Sequence, residues 1–166
     1  NESRQLPHDE KIRDIYDGEV YQRVLMNENG HFLSLTMNID GIQVAKSSSN
    51  SLWIVTFAIN EIRRSERFKM KNIIIGGIIS SIVKPSHKHI NAFLEPMVKE
   101  LVQLEKGEFF EVKNLNVNQL MFFKIFLICC CADKPAQSLI QGVSEPTGAY
   151  GCGRCELQGK FSASLF

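Results

Sequence analysis

Residues Phe32–Gly41, FLSLTMNIDG, alternate without a break. Leu33, Leu35, Met37 and Ile39 fall on one face of an extended chain, and Ser34, Thr36, Asn38 and Asp40 on the other. That period of two is expected of a strand buried on one side. The run ends by presenting a carboxylate beside a glycine. A second strand-like run, Phe122–Ala132 (FFKIFLICCCA), ends the same way at Asp133. Hard divalent cations take oxygen ligands, and in two-metal phosphoryl transfer a carboxylate commonly bridges both ions. Asp40 and Asp133 are therefore the candidate metal-ligating and catalytic pair, with Mg²⁺ or Mn²⁺ as the ion. Each also has a plainer reading. Asp-Gly is a common hairpin turn in which the Asp serves its own backbone, and an Asp ahead of Lys-Pro is a natural helix N-cap.

Working outward, the polar lead-in of residues 1–11 gives way to IRDIYDGEVYQRVL (12–25). Its apolar spacing, interrupted at Asp17-Gly18, predicts two short helical pieces. Asn27-Glu28-Asn29-Gly30 is a turn signal leading into the first strand. Beyond it, an Asp40-Gly41 turn, a short run at Ile42–Ala45, the polar KSSSNS and the run Leu52–Ile59 suggest an antiparallel meander. Asn72–Ser81 (NIIIGGIISS) reads as a further strand. From Ile90 the period changes. Ile90, Phe93, Leu94, Met97, Val98, Leu101, Val102 and Leu104 follow helical spacing, with Gly107 as the stop. Pro96 is expected near the first turn of that helix or at a kink. Phe109–Val112 reads as a short strand, Lys113–Gln119 as a loop, Phe122–Ala132 as a buried strand, and Pro135 as the opening of a helix through Ile140. This order predicts an α/β fold: a mixed sheet, part antiparallel meander and part parallel central strand, flanked by helices. Three segments follow: a lead-in at 1–25, a core at 26–141, and from 142 a glycine-rich tail that carries Cys152-x-x-Cys155.

With 166 residues, 44% hydrophobic and 22% charged, the chain has the make-up of one globular domain with a sizeable core. A formal net charge of +1 points to no partner by itself. The polar opening NESRQLPHDEKIRD is not a signal peptide. The runs Ile73–Val83 and Met121–Ala132 are too short to span a bilayer, so no membrane is expected. Five cysteines, three of them consecutive, are not a disulfide framework and suggest an intracellular protein. The chain begins without Met and stops at Leu165-Phe166, which reads as a fragment.

Cys152-x-x-Cys155 has the spacing of half a zinc site, or of a redox pair without a thioredoxin-like context. His87 and His89 are tempting further ligands that read equally as surface residues. Cys129, Cys130 and Cys131 read as core filling. Arg63, Arg64, Arg67, Lys69 and Lys71 form a candidate phosphate-contacting patch, or a solvated loop balanced by Glu61 and Glu66.

The series DIYDGEVY (Asp14–Tyr21), LSLTMNIDG (Leu33–Gly41), KSSSNSLW (Lys46–Trp53), INEI and ERF (Ile59–Phe68), NIIIGG (Asn72–Gly77), INAFLEPMVKEL (Ile90–Leu101), CCADKPAQ (Cys130–Gln137) and YGCGRC (Tyr150–Cys155) resembles the catalytic core of CACTA-type (Tnp2-like) transposases. The resemblance implies a ribonuclease H-like sheet in which three carboxylates hold two divalent ions for DNA strand cleavage and transfer. Asp40 looks like the first acid and Asp133 the second. Cys152 and Cys155 look like the opening pair of a zinc-binding insertion. It further implies a nuclear location, double-stranded transposon ends as partner, and self-association into a homo-oligomer. The family's third acid, a Glu after the insertion, has no counterpart here, Glu156 being badly placed for it. The histidine half of the zinc site is also missing. An incomplete site is therefore expected, and the alternative is an inactive, domesticated or decayed copy serving as a DNA- or protein-binding module. A plain zinc-knuckle interaction domain would leave both strand-end acids unexplained.

Overall fold

The computed structural model describes residues 12–43, 50–114, 117–145, 148–155 and 157–158. The polar lead-in of residues 1–11, most of the serine-rich turn and Glu156 lie outside the described residues. Among the described residues there are five strands: β1 Phe32–Gln43, β2 Ser51–Ile59, β3 Ile73–Ser81, β4 Glu108–Asn114 and β5 Val117–Ala132. The helices are α1 Glu19–Asn27, α2 Arg64–Arg67, α3 His87–Lys106 and α4 Lys134–Gln141, with short 3-10 turns at Ile15–Asp17 and Met70–Asn72. The sheet is mixed, in the order β3-β2-β1-β5-β4.

Strand directions follow from contacts. Asn60, just past β2, donates its backbone N–H to the carbonyl of Ser34 near the start of β1, at 2.9 Å. Gly41, near the end of β1, abuts Trp53 near the start of β2. The two strands are therefore antiparallel. Ser51 at the head of β2 bonds the carbonyl of Ser81 at the tail of β3, so that pair is antiparallel too. β4 and β5 form an antiparallel hairpin with Phe109 opposite Phe122 and Glu111 opposite Leu120. Between β1 and β5 the contacts advance together. Lys124 N–H bonds His31 C=O, and the Phe126 ring meets the Phe32 ring further on, so these central strands run parallel.

Contacts sort the chain into two units. In the first (Asn1–Thr36, Phe57–Ile74, Lys99–Cys129), aromatic rings form the core. Tyr16 and Tyr21 pack edge-on at 5.0 Å, Tyr21 meets Phe32 at 5.8 Å, and Phe32 meets Phe126 at 6.1 Å. In the second (Met37–Thr56, Ile75–Val98, Cys130–Phe166), Met37, Ile39, Trp53, Val55, Ile90, Ala136 and Leu139 are buried. Gly77 has no side chain because the Phe93 ring of α3 lies where a Cβ would press.

The alternation in β1 is realised from Leu35 onward, with Leu35, Met37 and Ile39 buried and Asn38 and Asp40 exposed, but not before it, where Ser34 is buried and Leu33 only half-buried. Several other expectations need correction. Asp40-Gly41 is not a turn; β1 continues through it to Gln43. The reason is cross-strand packing, since Gly41 admits the Trp53 indole flat against the strand, where a Cβ would come within 2.8 Å of it. The loop expected over Lys113–Gln119 is too long, because β4 and β5 extend into it and pair out to Asn114 and Val117. Of the two readings of Pro96 the first-turn one is excluded, since it lies well inside α3, a twenty-residue helix, where the kink reading applies. β5 is adjacent to β1 but less covered than a central strand should be, with Leu120, Phe122 and Leu127 exposed. Cys130 and Cys131 are likewise exposed, so only the half-buried Cys129 fits the core-filling reading.

Candidate functional site

Asp40 and Asp133 both belong to the second unit; Asp40 lies inside β1, which runs on to Gln43, and Asp133 directly follows β5, the neighbouring parallel strand. Asp40 lies in the last turns of the β1 ladder, on the face opposite buried Ile39, and is exposed. Asp133 immediately follows β5 and is also exposed. Its plainer reading is realised. Oδ1 accepts the Ala136 N–H at 2.8 Å, which makes Asp133 the N-cap of α4. Pro135 follows in the first turn, where its missing N–H costs nothing, and Gly142 closes the helix in the left-handed conformation at φ 67°. The cap uses one carboxylate oxygen. Two carboxylates with open oxygens suit Mg²⁺, which is commonly held by one or two carboxylates with water and phosphate oxygens completing an octahedron. Among the described residues no cluster of three or more His, Cys, Asp or Glu side chains is placed to hold a metal.

Cys152 and Cys155 line an open cavity of about 610 Å³ with Val143, Tyr150, Gly153 and Arg154. The backbone N–H of Arg154 points at Cys152 Sγ, joined by the Cys155 thiol and the Cys155 N–H, and together they hold the Cys152 thiol below its ordinary range. A thiol whose sulfur faces N–H groups of its own turn suits a soft metal ligand or a nucleophile. In contrast, desolvation around the sulfur, with the neighbouring Cys131 adding to it, pushes the Cys130 thiol up although the residue as a whole is exposed. His87 does not approach the pair as part of a ligand cluster. Its Nδ1 instead faces the carbonyl of Leu139 at 2.9 Å, tying the start of α3 to α4.

The basic run divides. Arg67 is an internal residue, which removes it from the phosphate-contacting patch. It is 3% exposed, with its guanidinium bonded to both oxygens of Asp14 and to the carbonyls of Asn60 and Ile62. The charge is there to be paired, since a buried guanidinium needs a partner. Lys69 and Lys71 both pair with Glu66 on the surface. Arg63 and Arg64 are exposed, and Arg64 also caps the carbonyl of Arg13.

The sequence reading did not anticipate the polar network in which Arg67 takes part. Ser34, buried on the nominally polar face of β1, donates its N–H and hydroxyl to the Glu61 carboxylate at 2.8 and 2.9 Å. Buried Asn60 donates to Ser34 Oγ and accepts from Thr36 Oγ1, while Tyr16 donates its hydroxyl to the Asn60 carbonyl. The only signal in the sequence was two acids, Asp14 and Glu61, and one amide in otherwise ordinary turns.

These elements define an α/β protein built on a mixed five-stranded sheet flanked by helices, with two strand-end acids and a cysteine turn. Residues 4–163 match the model of DUF1258, described as a protein of unknown function, and the chain belongs to that family. No curated protein matches it.

Proposed function

We propose that this chain is the ribonuclease H-like core of a DNA strand-transfer protein of the CACTA-transposase kind. It would act on double-stranded transposon ends in the nucleus, as a homo-oligomer. The observation carrying this reading is that Asp40, inside the last part of β1, and Asp133, directly after β5, lie on adjacent parallel strands. In this role the Asp40 carboxylate and the free Asp133 oxygen hold Mg²⁺ or Mn²⁺, while the Ala136 N–H fixes the orientation of Asp133. Asp40 and Asp133 would hold these ions, whose chemistry would be charge neutralisation and activation of the nucleophile for phosphodiester cleavage. Arg63, Arg64, Lys69 and Lys71 contact backbone phosphates. Cys152 and Cys155 provide two thiolates of a tetrahedral Zn²⁺ site.

A second reading, a non-catalytic DNA- or protein-binding module, is favoured by the lack of a third ligand near either acid among the described residues. Anomalous scattering from crystals soaked in Mn²⁺ separates the two. Density shared by Asp40 and Asp133, with their carboxylates about 4–7 Å apart as a two-metal site requires, supports the enzyme. Acids pointing apart with no density leave the binding module.

A further inference from the structure

β3 forms one edge of the sheet and β4 the other, and the two edges differ in charge. β4 carries Glu108, Glu111 and Lys113 within seven residues, and such charges keep an edge strand from pairing indiscriminately. β3 has no such protection. From Asn72 to Val83 the chain holds no Asp, Glu, Lys or Arg, and only Lys71 and Lys84 close the run. No proline interrupts β3, and Ile75, Ile78, Ile82 and Val83 are all exposed. Among the described residues no strand pairs with β3 on the side away from β2. Its outward N–H and C=O groups therefore form a template for one more strand.

We propose that the β3 edge is the surface on which a second copy of this chain docks, the two β3 strands pairing antiparallel about a two-fold axis at Ile78. Charge and symmetry select this occupant. An uncharged edge offers no ion pair to a charged partner, whereas another β3 meets it without stranding a charge. Paired residues of an antiparallel ladder point to the same face, so two copies match only where the paired numbers share parity. With the axis at Ile78, that residue meets its own copy, Gly77 faces Ile79, Gly76 faces Ser80 and Ile75 faces Ser81. All seven belong to the second unit. Lys84 then falls opposite Asn72, whereas an axis at Gly77 would set Lys71 against Val83. An edge of this length buries less than the roughly 1,200 Å² of a standard interface, so the copies exchange rather than lock together. The inference gives a surface to the self-association proposed above and rests on that part of the reading alone.

The test is sedimentation velocity of the full 166-residue chain over a range of concentrations, under reducing conditions so that the exposed cysteines form no cross-links. The wild type should show a reversible monomer–dimer equilibrium. Ile78→Lys and Ile78→Glu should each weaken the dimer about tenfold or more, because like charges then meet at the axis. The thermal midpoint of the monomer should not change, since Ile78 is exposed there. Mixing the two variants should restore a dimer holding one copy of each, which damage to the fold could not do. A wild-type dimer left intact by both variants overturns the β3 surface while self-association stands. Variants that stay monomeric when mixed overturn the two-fold pairing, and the proposal with it. A wild-type chain monomeric throughout overturns both the inference and the self-association, and leaves the edge to a partner of another kind.

Discussion

Arg67 and Asp14 form a two-pronged ion pair, with Nη1 2.7 Å from Oδ1 and Nη2 2.9 Å from Oδ2, although 53 residues separate them. The pair ties the lead-in before α1 to the turn after β2, in the same unit as the Ser34–Asn60–Glu61 network on β1. Parallel double hydrogen bonds give such a pair direction as well as strength.

Removing one partner strands the other. Asp14→Ala should destabilise the chain by about 3–5 kcal/mol, because it leaves a buried guanidinium uncompensated. Arg67→Lys should also destabilise it, since an ammonium cannot reproduce the fork. Urea unfolding midpoints measure both, and an Asp14→Ala chain as stable as wild type would refute the account.

The same pair sets a pH dependence. The Arg67 hydrogen bond holds the Asp14 carboxyl below its ordinary value, against the desolvation that pushes it up. A depressed folded value means stability that is complete above the ordinary carboxylate range, about pH 4, and is lost as pH falls through the folded value. Stability should therefore decline below about pH 4, and Asp14→Asn should flatten that part of the curve. Denaturation at pH 7 and pH 3 compares them.

Asp133 has two separable roles, one in the cap and one at the candidate metal site. Asparagine caps a helix about as well as aspartate, whereas alanine costs about 1 kcal/mol. Asp133→Asn should thus keep the thermal midpoint and lose Mn²⁺ binding, while Asp133→Ala loses both. Equal Mn²⁺ binding in wild type and Asp133→Asn would leave the cap as its whole role.

The exposed basic residues should behave differently from Arg67. Arg63→Ala and Arg64→Ala should each reduce the salt dependence of binding to any double-stranded DNA by about one ion, uniformly across sequences. Fluorescence anisotropy at several salt concentrations reads the slope. A slope unchanged by both substitutions would exclude the patch from DNA contact.

The two kinds of cysteine should differ in reactivity. With the Cys152 thiol held low and the Cys130 thiol pushed up, Cys152 should alkylate with iodoacetamide first at neutral pH. Mass mapping of a partial reaction identifies the order, and Cys130 reacting first would contradict the cradle around Cys152.

The sequence by itself determined the period-two face of β1 from Leu35 onward, the helical stripe of α3 with its Gly107 stop, the placement of Asp133 directly after β5, and its alternative role as a cap. Each is encoded by neighbours a few residues apart, through backbone periodicity or a local side chain-to-backbone bond. Only the tertiary structure decided that Asp40-Gly41 stays in the strand, because the deciding group is the Trp53 indole across the sheet. It alone decided that Arg67 turns inward, because the group that stabilises its charge is Asp14, far away in sequence. It also decided which cysteines are covered, because exposure in β5 depends on what packs over the strand rather than on its composition. Local signals fix the elements; partners brought together across the chain fix which polar groups are buried and which stay free to act.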